Sequence, residues 1–551
     1  MGGNTRETFR GHDSDALGTA AARAPIPVTT TFPRSRRWLA ALAAASLLAP
    51  AAPLRAQNNL PALGDAATED FGVATERRVG EQIMREIRRD PAYLDDPLLL
   101  EYVQSLWAPL VVQSRRDGHI TPDIDARFAW EAFLVRDRSV NAFALPGGYV
   151  GVHLGLIAIT GSRDELASVL AHELTHVTQR HIARGIANSR RQSMISLAAM
   201  LIGLIAASRA NSIDGANAAI IGGQAGMIQG QLNFSRDMER EADRIGFQLL
   251  TGAGFAPSGM AAMFEKLDQA SRLNDSGGYP YLRSHPLTSE RIGEARSRLG
   301  TEQARPAPGP VSAGLDHAFA MARARVLMDT RVDALRRWQA QDAPRTDLTA
   351  AQKLADLYSS ALASVLLRDT DRADGAVARL QSLLADSPRQ DAKAVRWAAM
   401  LKAQALLARG DADGAAAALK PLSGEASRPA LLMNAEVALA GAGGMAALRR
   451  SAEELQTRVA VQSSDATAWA MLGRLWAQAG EPLRSRRAEG EAAYALGDLR
   501  GAIDRFRAGQ GQMRPGNPSD FIEASVIDSR LREVQAQLRA FIAEQQEQQQ
   551  R

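Results

Sequence analysis

The five residues from His172 to His176, HELTH, place the strongest constraint on how this chain folds. They lie in a stretch with helical periodicity, flanked by the apolar residues Leu170, Ala171 and Val177. Residues four positions apart share one face of an α-helix, so His172 and His176 can both reach one metal ion at about 2.0–2.1 Å. The fold must therefore bury one side of this helix and bring a further ligand to it from elsewhere in the chain.

Glu173 gives this motif a chemical role. It is rotated about 100° from His172 around the helix. Its carboxylate therefore lies beside the metal, where it can take a proton from the attacking water. The chain contains no cysteine, so any metal is held by His, Asp or Glu. The motif predicts a hydrolytic zinc site, and the alternative is an ordinary polar face of a helix.

His181 lies in the same predicted helix, which the periodicity extends over residues 162–187. It is about 180° around the helix from His172 and about 140° from His176. A continuous helix directs His181 away from the metal. We therefore expect it to be a supporting or structural residue and not a ligand.

A later helical segment, SRDMEREADRIG, offers candidates for the third ligand. Glu239 and Asp243 are four positions apart and share a face, whereas Glu241 is about 200° from Glu239 and faces the other way. Glu239 can bind the metal while Asp243 accepts the outer N–H of a ligand histidine. The alternative is a solvated run of charges that pairs with the neighbouring arginines.

HELTH followed by EREAD resembles peptidase family M48. The flanking SVNAFALPGGYVGVHLGLI and SHPLTSERIGEAR resemble its exported bacterial BepA-like branch, which carries C-terminal tetratricopeptide repeats. The resemblance covers about residues 76–299 by motif and the remainder by architecture. It implies a mainly α chain in which an α+β zincin-type domain precedes a helical solenoid. It also implies one Zn²⁺ held by His172, His176 and Glu239, with Glu173 as the general base.

The resemblance implies two further features of the site. His285, in RSHPLTSER, can take the fourth zinc position and block the site as a latch until a substrate moves it. An ordinary loop histidine is the alternative. Asn141 and Ala142, at the start of NAFALPGG, would lie near an edge strand that pairs with extended substrate. A buried hairpin is the alternative interpretation of these two residues.

Shifts in composition and stretches rich in proline and glycine divide the chain into parts. Basic Arg34, Arg36 and Arg37, then an apolar run from Trp38 to Ala49, are typical of a secretory signal cleaved near Ala56. An uncleaved anchor is the alternative. The predicted parts are an extension with signal over 1–56, a peptidase domain over 57–304, a linker over 305–313, tetratricopeptide-like repeats over 314–510, and a C-terminal helix with a polar tail over 511–551.

The region after the linker alternates helix, short turn and helix. Trp469, Leu472, Gly473 and Trp476 follow the spacing of a tetratricopeptide repeat, with Trp at the position where Tyr is usual. Such helix pairs stack because no single pair can bury its own apolar face. The alternation of helices and short turns in this half therefore predicts a solenoid.

The run Met194–Ala207 is uncharged over fourteen residues. Runs of this length are more often buried or interfacial helices than membrane spans. A single crossing would also separate the flanking residues of one metal site, so we expect a buried or surface-lying segment. A membrane-embedded peptidase is the alternative.

The resemblance also implies a function in the periplasm. It indicates protein quality control during outer-membrane assembly, with unfolded or misassembled outer-membrane proteins as substrates and the assembly machinery bound through the repeats. Peripheral membrane contact is also expected. The net charge of +4 over 551 residues gives no argument for nucleic acid. The competing hypothesis is a repeat scaffold or chaperone with a largely latent peptidase domain.

Overall fold

The computed structural model describes residues 72–188, 236–273, 280–302, 314–343, 345–386, 391–512 and 518–550. All of them belong to one compact unit that begins at Leu63. The predicted signal over 1–56, the linker over 305–313 and the apolar run Met194–Ala207 lie outside the described residues. Within the described ranges, no helix has the length and apolar character needed to cross a bilayer.

The first part of the chain surrounds a small sheet with helices. Its elements up to the first gap are α1 (Val73–Arg89), β1 (Tyr93–Leu94), α2 (Pro97–Arg116), α3 (Pro122–Arg127), β2 (Glu131–Val135), β3 (Ala142–Leu145), β4 (Tyr149–His153), α4 (Leu154–Ile159), α5 (Arg163–Thr178) and α6 (His181–Asn188). After the gap follow α7 (Arg236–Gly252), α8 (Ser258–Leu273), α9 (Pro280–Ser284) and α10 (Ser289–Glu302). The segment NAFALPGG, which was expected near an edge strand, contains β3.

The four-stranded sheet has the order β1-β2-β4-β3. Strands β2 and β4 are parallel, with Glu131 opposite Tyr149, and the other two pairs are antiparallel. The turn at Gly147 and Gly148 joins β3 to β4. This order leaves β3 at one edge of the described sheet, and the helix α5 packs against it.

The remainder of the described chain is helical. Its elements are α11 (Leu315–Leu327), α12 (Val332–Gln339), α13 (Ala350–Leu367), α14 (Thr370–Ala385), α15 (Ala392–Ala408), α16 (Ala412–Ala418), α17 (Arg428–Leu439), α18 (Gly444–Val461), α19 (Ala466–Gln478), α20 (Pro482–Ala495), α21 (Leu499–Gln510) and α22 (Pro518–Gln550), with short 3₁₀ turns at Ala340–Asp342 and Lys420–Leu422. The predicted fold class, a small mixed sheet with a mainly helical chain, is confirmed. The last helix continues through the polar tail to Gln550.

The helix pair α19 and α20 shows why the repeat spacing matters. Trp469, Leu472 and Trp476 are buried on α19. A Cβ at Gly473 would meet Cγ of Glu489 on α20 at only 3.3 Å, so glycine lets the two helices approach closely. Gly-Asp turns occur at Gly410–Asp411 and Gly497–Asp498. In each turn the aspartate side chain caps the next helix, α16 and α21 respectively.

The mixed part and the first repeat helices share one hydrophobic core. At its centre Arg323 of α11 forms a two-pronged ion pair with Asp96, the N-cap of α2, at 2.8 and 2.7 Å. Both side chains are buried, and Arg323 also donates to the hydroxyl of Tyr358 at 3.1 Å. The repeats are therefore fixed directly to the elements that support the sheet.

Candidate metal centre

Helix α5 carries His172, Glu173 and His176 in its buried middle. Its N-terminus is capped by the Ser162 hydroxyl, which accepts the Glu165 N–H. Helix α7 packs across α5 at Gly246, where a Cβ would lie 3.2 Å from the backbone nitrogen of His172. This close approach brings the first turn of α7 to the motif.

Three ligand candidates converge there. Nε2 of His172 lies 3.0 Å from Nε2 of His176. The Glu239 carboxylate oxygens lie 3.5 Å from each of these nitrogens. Ligands bound tetrahedrally to zinc at about 2.0–2.1 Å are themselves about 3.3 Å apart. The spacing of the three groups therefore fits one zinc ion.

His285 completes the cluster as a fourth group. Its Nδ1 lies 2.9 Å from Oε1 of Glu239 and 3.3 Å from Nε2 of His172. The candidate ligand atoms of all four residues lie within 4.8 Å of one another. The His285 ring stacks on Tyr281 with ring centres 4.7 Å apart, so its position is supported by packing.

The hydrogen bonds around His172 favour a cation at this point. Arg291 donates two hydrogen bonds to Asp243, and Nδ1 of His172 lies 3.0 Å from Oδ1 of Asp243. Burial raises the pKa of Asp243, but the hydrogen bonds from Arg291 and His172 outweigh it, so the carboxyl pKa is lowered. An ionised Asp243 accepts the proton on Nδ1, which leaves the lone pair of Nε2 directed at the cluster.

The same carboxylates stabilise positive charge on the cluster. Burial by itself lowers the pKa of His172. The hydrogen bonds to Asp243 and Glu239 act in the opposite direction and outweigh burial, so that the pKa is raised to about 9. Burial raises the pKa of Glu239, but its electrostatic interaction with His285 and its hydrogen bond with His172 hold the pKa well below its usual range. The donor set of three imidazoles and one carboxylate suits zinc.

Glu173 lies beside the ligands and is fully buried. Neither of its carboxylate oxygens receives a hydrogen bond from a residue in the described ranges. Its Oε1 is 3.5 Å from Nε2 of His285. A buried carboxylate in this position needs a partner inside the site, and an attacking water is such a partner.

The continuous helix over 162–187 is wrong, and so is the orientation that it implied for His181. Helix α5 ends at Thr178, and Arg180 takes a left-handed conformation with φ 51° before α6 begins. The turn returns the His181 ring to the cluster, where its Nδ1 lies 2.9 Å from Nδ1 of His176. His181 therefore contacts a candidate ligand and does not face away from it.

The structure places the other predicted residues as follows. Asp243 contacts His172 and Arg291, so it touches the cluster through the candidate ligand His172. Asn141 is buried immediately before β3, and Ala142 is the first residue of this edge strand. Their placement leaves the substrate role of both as a prediction.

Two supporting contacts were missed by the sequence reasoning. Arg291 lies in the SHPLTSER segment that was noted only for its histidine, so an arginine six positions after His285 was the available signal. The pair Arg180–Glu76, with Nε 2.9 Å from Oε2, joins residues far apart in the sequence. No local pattern indicates such a pair.

Comparison with known proteins gives the family. Peptidase family M48 matches residues 120–299, which include the whole cluster. The Escherichia coli (strain K12) protein described as beta-barrel assembly-enhancing protease is 30% identical over 523 residues, which are 92% of this chain and 98% of that protein. A Vibrio cholerae relative is 35% identical over 340 residues, 61% of this chain and 66% of its own length.

Another relative matches a shorter stretch of the chain. The Schizosaccharomyces pombe protein described as mitochondrial metalloendopeptidase OMA1 is 35% identical over 170 residues, 30% of this chain and 44% of that protein. The Escherichia coli relative aligns along almost the whole chain, and M48 peptidases depend on zinc. The chain therefore belongs to peptidase family M48 and is a zinc-dependent metallopeptidase.

Proposed function

We propose that this protein is a periplasmic endopeptidase that degrades unfolded or misassembled outer-membrane β-barrel proteins. The observation that carries the proposal is the match to the Escherichia coli beta-barrel assembly-enhancing protease over 92% of this chain and 98% of that protein. The match includes the metal centre and the repeats together. The repeats would dock the substrate or the assembly machinery, and peripheral membrane contact is part of the same proposal.

In this proposal His172, His176 and Glu239 hold the zinc ion. When bound, zinc polarises the scissile carbonyl and lowers the pKa of the attacking water. Glu173 takes the proton of that water and then delivers it to the leaving amine. Asp243 keeps the proton of His172 on Nδ1, so that Nε2 remains available to the metal.

We further propose that His285 is a latch. With His172, His176 and Glu239 holding the metal, Nδ1 of His285 lies close enough to these groups that it would serve as a fourth ligand and keep out the attacking water. Its other ring nitrogen is 3.5 Å from the carboxylate of Glu173, so the same ring also blocks the general base. The peptidase is closed while this ring stays in place.

The edge strand offers a route by which substrate opens the latch. Helix α9, which leads into His285, is tied to the strand entrance because the Tyr281 N–H donates to the Val140 carbonyl at 3.3 Å. Asn141 and Ala142 follow directly along this edge. An extended substrate that pairs with β3 would compete for this carbonyl and release α9 together with His285.

Replacing His285 by Ala is expected to raise cleavage of casein by the zinc-loaded protein. The gain is roughly tenfold for each 1.4 kcal/mol by which the closed form is favoured. Initial rates measured with a fluorescent casein give the comparison. The matched control is Arg283→Ala, because Arg283 is exposed on the same short helix. Equal or lower turnover by a folded, zinc-loaded His285→Ala protein would exclude the latch.

Removing the metal is expected to abolish cleavage and to lower Tm. Dialysis against a chelator gives the apo protein, and one equivalent of zinc should restore both, since a ligand that binds only the folded state stabilises it. Metal analysis, the cleavage rate and the melting curve are measured on the same samples. Full cleavage by protein free of metal would contradict the proposed chemistry.

The substrate class is tested with three proteins of similar size. These are an unfolded outer-membrane β-barrel protein, the same protein folded in detergent, and an unfolded soluble protein. We expect the His285→Ala protein to cleave the first fastest and to spare the second. Equal cleavage of both unfolded proteins would remove the β-barrel preference from the proposal, and no cleavage of any would remove the endopeptidase activity.

A chaperone role is the second candidate function. The observation that favours it is the position of His285, which lies 2.9 Å from Glu239 and, as a latch, would keep the metal centre closed without involving the repeats. A Glu173→Gln protein separates the two roles. If this protein still supports assembly of β-barrel proteins in cells that lack the parent, the repeats act without cleavage. Loss of assembly would assign the function to the peptidase.

A further inference from the structure

We propose that His181 and Glu241 are positioning residues that fix the ring and the tautomer of the metal ligand His176. The inference rests on the metal site proposed above and adds a second set of contacts to it. His172 has a carboxylate of its own, Asp243, on its outer nitrogen. The outer nitrogen of His176 instead faces another imidazole, that of His181.

The break in the helix creates this contact. Residues five apart on a continuous helix point about 140° away from each other. Here the left-handed Arg180 reverses the chain, so that His181 starts a new helix with its ring turned back. Arg180 is itself buried and bound by Glu76 of α1 at 2.9 Å. This ion pair compensates for the left-handed conformation, which is costly for a residue other than glycine.

The contacts from His176 through His181 to Glu241 determine which ring nitrogen of each histidine carries the proton. Nε2 of His176 faces Nε2 of His172 and the Glu239 carboxylate, so a metal there needs its lone pair. The proton of a neutral His176 is then on Nδ1, which donates to Nδ1 of His181 at 2.9 Å. His181 must in turn carry its proton on Nε2, which donates to Oε2 of Glu241 at 3.0 Å.

Glu241 is the last acceptor in this series of hydrogen bonds. It accepts from Nη1 of Arg184 at 2.8 Å, and Arg184 lies on α6 together with His181. Glu241 also lies on α7, two positions after Glu239. Helix α7 therefore supplies the metal ligand Glu239 on one face and the hydrogen-bond acceptor of His181, Glu241, on another. The contacts of Glu241 therefore hold α7 against α6, the helix that follows the ligand-bearing α5.

Partners of the outer nitrogen of a ligand histidine typically change metal affinity or activity by about 10–100-fold when removed. His181→Leu fills a similar volume but accepts no hydrogen bond, so it is expected to weaken zinc binding within that range. His181→Asn places an amide oxygen near the position of Nδ1, where it can accept the His176 N–H. We expect His181→Asn to keep affinity within a few-fold of the parent.

Zinc affinity is measured by competition with a chromogenic chelator, on folded full-length protein and without any substrate. Cobalt-substituted protein adds a visible spectrum that reports the geometry at the metal. His317→Leu is the control for a general loss of stability, because His317 is also buried between hydrogen-bond partners, Tyr102 and the Thr160 carbonyl. We expect His317→Leu to lower Tm and to leave zinc affinity unchanged.

The outcomes distinguish a failure of the proposed metal site from a failure of the positioning role. If parent and His176→Ala bind zinc equally, His176 is not a ligand, and both the ligand set and the positioning role are wrong. If the ligand set holds but His181→Leu and His181→Asn match the parent, or fall equally, the positioning role is wrong. If His181→Leu does not fold, Glu241→Gln takes its place, because it alters only the partly exposed end. An unchanged zinc affinity and cobalt spectrum for Glu241→Gln would then overturn the proposal.

Discussion

Replacing Glu173 by Gln is expected to leave zinc bound and to lower kcat by about 10²–10⁴-fold, the usual contribution of a positioned general base. The amide has nearly the shape of the carboxylate but cannot accept the proton of the attacking water. Glu173 is fully buried at the cluster, and no described residue occupies its oxygens by hydrogen bonding. The rate is measured in the His285→Ala background, where the latch does not limit it.

The control for this substitution is Glu290→Gln. Glu290 is a glutamate on α10 whose side chain is 61% exposed, so the same chemical change there should leave the rate as it was. Zinc content and Tm are compared in the three proteins. A Glu173→Gln protein that binds one zinc ion and cleaves casein at the parental rate would remove Glu173 from the mechanism.

Replacing Arg323 by Met is expected to lower the free energy of unfolding by about 3–5 kcal/mol, because it leaves Asp96 buried without its charge partner. The two groups meet through two hydrogen bonds of 2.8 and 2.7 Å in the core shared by the sheet-bearing part and the repeats. Asp96 also caps α2, whose first turn would lose support. Urea unfolding followed by circular dichroism gives the change.

Arg337→Met provides the comparison. Arg337 pairs with Asp333 at 3.1 Å, but both side chains are 64% exposed, and such surface pairs contribute little to stability. A double variant in which Asp96 is replaced by Asn should recover part of the loss, since the uncompensated charge is gone. If Arg323→Met is as stable as Arg337→Met, the buried pair does not hold the two parts together.

The chemistry of the metal centre could be predicted from local patterns. The spacing of His172 and His176 places both rings on one face of a helix, and Glu239 and Asp243 repeat that spacing on a later helix. The structure brings these four residues together in one buried cluster. The strands were also predictable, because the sequence alternates around β2 and around the turn that joins β3 to β4.

The position of His181 could not be predicted in this way. Periodicity assumes that a helix continues, and nothing in the residues between 178 and 181 forbids it. The helix stops because Arg180 reaches Glu76, a partner about one hundred residues earlier. The capping of α5 differs for a similar reason. Ser162 and Glu165 have the spacing of a capping box, but the Glu165 carboxylate accepts the Gly161 N–H and pairs with Lys266 of α8, so the box is not completed.

The sequence by itself therefore indicated the ligand types and a candidate base through residue spacing of a few positions, and it indicated the fold class through the family resemblance that these motifs carry. The tertiary structure decided which groups surround them. Arg291 on Asp243, His181 on His176, His285 beside Glu173 and Arg323 on Asp96 are all contacts between elements distant in the chain or across a break in a helix. Such contacts depend on how whole helices pack against one another, and helical periodicity carries no information about that packing.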